Sequence, residues 1–231
     1  MKRICIAMGC FVLWISLKAQ EQTTLEIKKP FKAITFDLLS PAYTSYSVYF
    51  STGPSNLTRW RLGYRHQLNE RWAIGADLGY GNNIIALRME GDYYRLYELT
   101  PELQYLLQLG SRTQVYFSAQ PFFLIHTETL YYDSVYVQGI GNVRFDSMDY
   151  KRTKYGLTVN YGFIFPLSSS MGFNVYVGGG IKRRENKYRS FVNPTLDEYL
   201  YYDHHSSYYD NDSPLTDFQF SFGMKAYFFL K

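Results

Sequence analysis

Residues 216–230 constrain the fold more than any other stretch. Phe218, Phe220, Phe222, Met224, Ala226 and Phe228 alternate there with Asp217, Gln219, Ser221, Gly223, Lys225 and Tyr227. Successive side chains of a strand point to opposite faces, so this is a ribbon with one apolar and one polar side. Strands of soluble proteins usually run to about five or six residues. A tilted strand that crosses a membrane needs roughly nine to eleven, which this segment supplies.

The same period recurs along the chain. It predicts strands over 31–40, 59–68, 72–80, 94–107, 113–127, 154–167 and 172–182, with the terminal one as the eighth. In the second, Trp60, Leu62 and Tyr64 oppose Arg61, Gly63 and Arg65; in the third, Trp72, Ile74, Ala76, Leu78 and Tyr80 oppose Ala73, Gly75, Asp77 and Gly79. Pro101 interrupts the fourth and removes a ladder donor, which predicts a bulge there. Tight turns are expected at 68–71, 109–112 and 168–170, and long loops near 81–92, 130–149 and 183–214. The alternating stretch 43–51 fits either a continuation of the first strand or part of the first loop. Short and long connections alternate, the rhythm of an even-stranded, antiparallel, up-and-down transmembrane β-barrel with short periplasmic turns and long outer loops.

The N-terminus agrees with an envelope destination. Lys2 and Arg3 precede an apolar run over 4–17, and Ala19 precedes Gln20, the pattern of a cleaved secretory signal peptide over 1–19. The run is too short for a spanning helix, which takes about 20 apolar residues. A single barrel domain over 20–231 is expected to follow. Cys5 and Cys10 both fall in the leader, so the mature chain is expected to use neither disulfides nor thiolate metal sites. Loss of Lys2, Arg3 and Lys18, with no acid, lowers the formal charge from +4 to +1. That removes the electrostatic case for nucleic acid.

Alternation alone leaves open whether the apolar face meets lipid or a dry core, as in a lipocalin-like carrier. Aromatics make up 19% of the chain, with 24 Tyr and 17 Phe. Trp60, Trp72, Tyr80, Tyr105, Tyr155 and Tyr227 gather towards strand ends, where interfacial girdles stand. The polar faces mix charges of both signs with glycines, a set suited to pairing across a narrow interior. These features favour lipid outside.

With the leader, the hairpin L-N-E-R-W-A-I-G-A-D-L-G-Y-G over 68–81 and the aromatic terminal strand, the chain resembles small eight-stranded outer-membrane barrels of the OmpA/OmpX type. It is similar also to uncharacterised outer-membrane β-barrel families of Gram-negative bacteria. It departs from them in ending Leu230-Lys231 and not on an aromatic. The resemblance implies residence in the cell outer membrane, contact with its lipid and lipopolysaccharide, and insertion by the barrel assembly machinery.

Several constellations carry possible chemistry. Arg61, Arg65, Asp77, Glu98, Glu102 and Lys225 form an expected interior charge cluster, read as a salt-bridged plug in preference to a narrow, porin-like pore. His126 with Glu128 invites a lipid-modifying reading, but position 128 holds no serine and no G-x-S-x-G elbow occurs. Asp203, His204, His205, Asp210 and Asp212 hold potential metal donors in no familiar spacing, so no cofactor is expected. The same segment is tyrosine-rich: Tyr199, Tyr201, Tyr202, Tyr208 and Tyr209, with His204 and His205, are the candidate surface contacts, their partner unknown. Gly178-Gly179-Gly180 lacks the context of a phosphate loop. The expectation is a non-enzymatic envelope protein with a structural or surface-interaction role; the alternative is a lipid- or small-ligand-handling barrel.

Overall fold

The computed structural model describes residues 30–41, 58–84, 91–109, 113–137, 139–196 and 214–230. The leader, residues 43–51 and the tyrosine-rich segment 197–213 lie outside the described residues. In chain order the strands are β1 (Lys32–Asp37), β2 (Trp60–Gln67), β3 (Trp72–Asn82), β4 (Asp92–Leu109), β5 (Thr113–Val137), β6 (Gly141–Pro166), β7 (Met171–Val192), β8 (Thr195–Leu196) and β9 (Leu215–Leu230). Every pairing is antiparallel. Each long strand pairs with its sequence neighbour from β1 to β7, β9 pairs with β7, and β9 returns to β1. The result is a closed ring of eight strands, with the two-residue β8 beside β6.

The seam joins Lys32 to Leu230 and Asp37 to Lys225, and extends one step through Leu38 N–H donating to Met224 O at 2.9 Å. At the same end lie two tight turns. Asn69 Oδ1 accepts from the Arg71 and Trp72 amides at 2.9 and 3.0 Å, and Ser168 Oγ accepts from the Met171 amide at 3.1 Å. Both turns fall where the residues predict them.

Along the ring body, alternation sorts side chains by face. Apolar residues such as Leu62, Leu78, Leu99, Val159, Ile181 and Phe218 point outward and stay exposed, while Arg65, Asp77, Gln104, Asn160, Asn174 and Lys225 point inward and are buried. Cross-strand aromatic pairs sit at two levels of the outer face. Trp72 packs edge-on against Tyr105 near the tight turns (centroids 5.0 Å apart), and Tyr80 lies tilted against Tyr97 eight residues further along β3 (5.5 Å).

Three expectations are corrected. The predicted loop 130–149 is a hairpin: β5 runs on to Val137, and β6 starts at Gly141. Gly139 and Gly141, at φ +81° and +105°, supply the left-handed backbone its turn requires. Likewise the first part of the predicted loop 183–214 is strand, since β7 reaches Val192. The alternation breaks phase in all three strands at about one level. Tyr132 and Ser190 take left-handed φ values (+51° and +54°), the β6–β7 register slips between Ser147 and Asp149, and the buried face of β6 changes from Met148 to Phe145. A period-two reading loses the strand at such a slip.

Pro101 brings no register shift. It faces Ala76 in an unbroken β3–β4 ladder, and the β4–β5 register is the same on both sides of it. That register sets Pro101 opposite Pro121, so the two residues that lack an N–H share one gap. The bulge in β4 lies instead between Asp92 and Arg95, where Tyr93 has φ +59°.

Candidate functional site

The six charges expected inside the ring all lie there, and Asp37 and Arg59 join them. They form two clusters, each of two cations and two carboxylates. In the first, Arg65 Nη2 donates to Asp77 Oδ2 at 2.8 Å and to Glu102 Oε2 at 2.5 Å. Lys225 Nζ stands 2.7 Å from Asp77 and 3.6 Å from Glu102, and lies over the Tyr176 ring. In the second, Arg61 bonds Glu98 at 2.5 Å and Asp37 at 3.2 Å, while Arg59 holds Glu98 through both Nε and Nη2. Asp37 Oδ1 also accepts from the Leu39 and Ser40 amides. Arg59 and Asp37 are the members that sequence reasoning missed. Asp37 sits on the polar face of the first predicted strand and Arg59 on that of the second, over 59–68, so the parity of both was visible; only the ring brings Arg59 to Glu98.

Charge balance matters because the groups are desolvated. Removing a charge from water costs several kcal/mol even after relaxation, about as much as good pairing returns. With each carboxylate meeting at least two donors, the clusters fix geometry more than they add stability. All eight groups come from β1, β2, β3, β4, β9 and the residue before β2. Much of the opposite wall is uncharged at these levels: Asn160 donates to Gln120 Oε1 at 3.2 Å, and Asn174 donates to Tyr116 Oη at 2.9 Å.

Towards the tight turns the interior is closed by Phe31, Ala33, Ala73, Leu106, Tyr116, Ile164 and Tyr227. Two glycines leave the required space. A Cβ on Gly162 would meet the Tyr116 ring at 2.5 Å, and one on Gly223 would meet the Tyr176 ring at the same distance.

Above the charge clusters, His126 Nε2 stands 2.9 Å from Glu128 Oε1, and both side chains are fully buried. The His126 ring lies against Tyr94 (5.0 Å) and Tyr150 (5.5 Å). Tyr150 Oη donates to Asn186 Oδ1 at 3.0 Å, and Arg152 Nε donates to the same oxygen at 2.8 Å. Beyond them Leu124, Leu130, Val135, Phe145 and Met148 form an apolar core with Tyr94, Leu96 and Tyr150. The imidazole thus lies against a carboxylate and two phenol rings.

Among the described residues no group of three or more His, Cys, Asp or Glu side chains is arranged to hold a metal ion. The tyrosine and histidine contacts expected at Tyr199, Tyr201, Tyr202, His204, His205, Tyr208 and Tyr209 lie outside the described residues. Compared with known proteins, the chain matches no family model and no curated protein.

Proposed function

We propose that this protein is a non-enzymatic integral outer-membrane β-barrel, delivered by a cleaved signal peptide and inserted by the barrel assembly machinery, with lipid and lipopolysaccharide around it. On this reading it is of the OmpA/OmpX-like kind, its interior is plugged by paired charges, and its outer segments serve an envelope-structural or surface-interaction role. One observation carries the reading: the polarity of the outer surface changes along single strands. On β6, Tyr155, Leu157, Val159 and Tyr161 face outward, but further up the hairpin the outward residues are Asp149, Lys151 and Thr153. On β7, Val175, Val177 and Ile181 give way to Arg183, Glu185 and Lys187. A strand in water throughout has no reason to change its outer face at one level. A strand leaving a bilayer does.

The dimensions support this. From Trp72 to Tyr80 is eight residues, or roughly 26 Å of strand. Tilted by about 40°, as such strands are, that covers about 20 Å, close to the ~25 Å apolar band between aromatic girdles. A soluble carrier is disfavoured because its apolar face would line the cavity, whereas here the inner wall holds the charges. The lipid-modifying alternative depends on His126, and His126→Ala would abolish any such activity while leaving the structural role intact.

Fractionation of the tagged protein, with gels run before and after boiling, tests the proposal. Outer-membrane pelleting with a heat-dependent mobility shift is expected. A soluble periplasmic protein would overturn it.

A further inference from the structure

On the outer face of β2 to β5 the apolar side chains do not close into a smooth wall. They leave a groove of about 500 Å³, within the range of sites that hold small ligands. Its upper rim is one row of the ladder, in which Trp60, Tyr80, Tyr97 and Ile125 pair strand to strand. Leu78 and Leu99, paired in the row beneath, also line it.

The outward row above that rim has a different chemistry. Arg95, two residues beyond Tyr97 on β4, pairs with Thr127, and Thr127 pairs with Lys151. Side chains two apart on a strand share a face and stand about 7 Å apart along it. Two cations and a hydroxyl are therefore set just beyond the mouth of the groove. Among the described residues neither Arg95 nor Lys151 has a carboxylate within 4 Å. Asp149 and Glu185, two residues from Lys151 and Lys187, hold Thr129 at 3.2 Å and Arg183 at 3.5 Å instead. On its other side Lys151 faces Lys187 of β7. Like charges so placed repel, and an anion seated beside them relieves the repulsion.

The groove and the row above it suit two halves of one ligand. Burial of a hydrocarbon chain in the groove is favourable. The Arg95 guanidinium, Thr127 hydroxyl and Lys151 ammonium suit an oxyanion. Free phosphate would leave the groove empty, and a neutral lipid would leave the cations unanswered. We propose that the outer face of β2 to β6 binds a lipid with a phosphate at its head, its acyl chain in the groove and its phosphate on Arg95, Thr127 and Lys151. The inference rests on the reading of this face as lipid-facing and adds a specific site to it.

Trp60 reports on the groove directly. With Trp14→Phe and Trp72→Phe it is the one tryptophan of the chain, and bromine atoms on a lipid chain quench an indole that they touch. The refolded full chain in detergent micelles is titrated with phosphatidic acid and with diacylglycerol, each with the same brominated chains. Half-maximal quenching is expected at a roughly thirtyfold lower mole fraction of phosphatidic acid, the effect of two cations near a headgroup. Arg95→Gln with Lys151→Gln removes that difference, and Arg95→Lys with Lys151→Arg keeps it. Arg183→Gln, which removes an outward cation away from the groove, leaves it unchanged. Equal quenching by the two lipids overturns the proposal. So does a difference that survives Arg95→Gln with Lys151→Gln, or one that disappears with Arg183→Gln. Fractionation tells the two failures apart: outer-membrane pelleting with equal quenching overturns the lipid site alone, whereas a soluble protein overturns both readings.

Discussion

The ring body and the upper reach of β5, β6 and β7 are built from the same strands with opposite polarity. In the body, Leu62, Leu78 and Phe218 face out while Arg65, Asp77 and Lys225 face in. In the upper reach Leu130, Phe145 and Met148 form a core, while Lys151, Lys187 and Arg189 face out. A strand has two faces and no fixed preference for which is inside; the medium on each side decides. On the proposed reading the body is turned towards lipid, and the upper reach is an ordinary sheet in water. The phase slips near Tyr132, Ser147 and Ser190 lie within this upper reach.

Four substitutions would break or sharpen that contrast. The largest effect belongs to the body's interior. Asp77→Ala strands Arg65 and Lys225 without one of their two carboxylates, and urea unfolding in detergent should show a loss of about 3–5 kcal/mol. A loss below 1 kcal/mol would mean that water reaches the cluster. Next is the outer face. Leu78→Arg, at the middle of the apolar band, should cost about 2–4 kcal/mol in a bilayer. In water an exposed leucine tolerates the change to within about 0.5 kcal/mol, so the same titration in lipid vesicles separates the two environments.

Smaller effects come from the upper reach. Tyr150→Phe removes the bond to Asn186, which keeps Arg152 as a donor. The expected loss is about 0.5–1.5 kcal/mol, read from the urea midpoint. The smallest has the opposite sign. Lys151 and Lys187 face each other across β6 and β7, and like charges at such positions repel. Lys187→Glu should therefore raise stability by about 0.2–1 kcal/mol, an effect that fades at high salt. No gain at low salt would mean that these side chains do not share an aqueous face.

Residue pattern alone carried much of this. Period-two alternation located the body of all eight long strands, because each keeps one face apolar from end to end there. Asn69 and Ser168 marked the tight turns, since their side chains cap the backbone locally. Parity also assigned Arg61, Arg65, Asp77, Glu98, Glu102 and Lys225 to one interior. The hairpin above residue 130 was hidden, because its phase slips erase the period on which the reading depends. The Pro101 gap was misjudged for another reason: Pro121 lies opposite it only once two strands distant in sequence take up register.

The sequence by itself determined which side chains share a face, because that follows from the geometry of an extended backbone. Only the tertiary structure decided which faces meet. It brought Arg59 to Glu98 across 39 residues and Lys225 to Asp77 across 148. Closure of the ring sets those distances, and closure is a property of all eight strands at once.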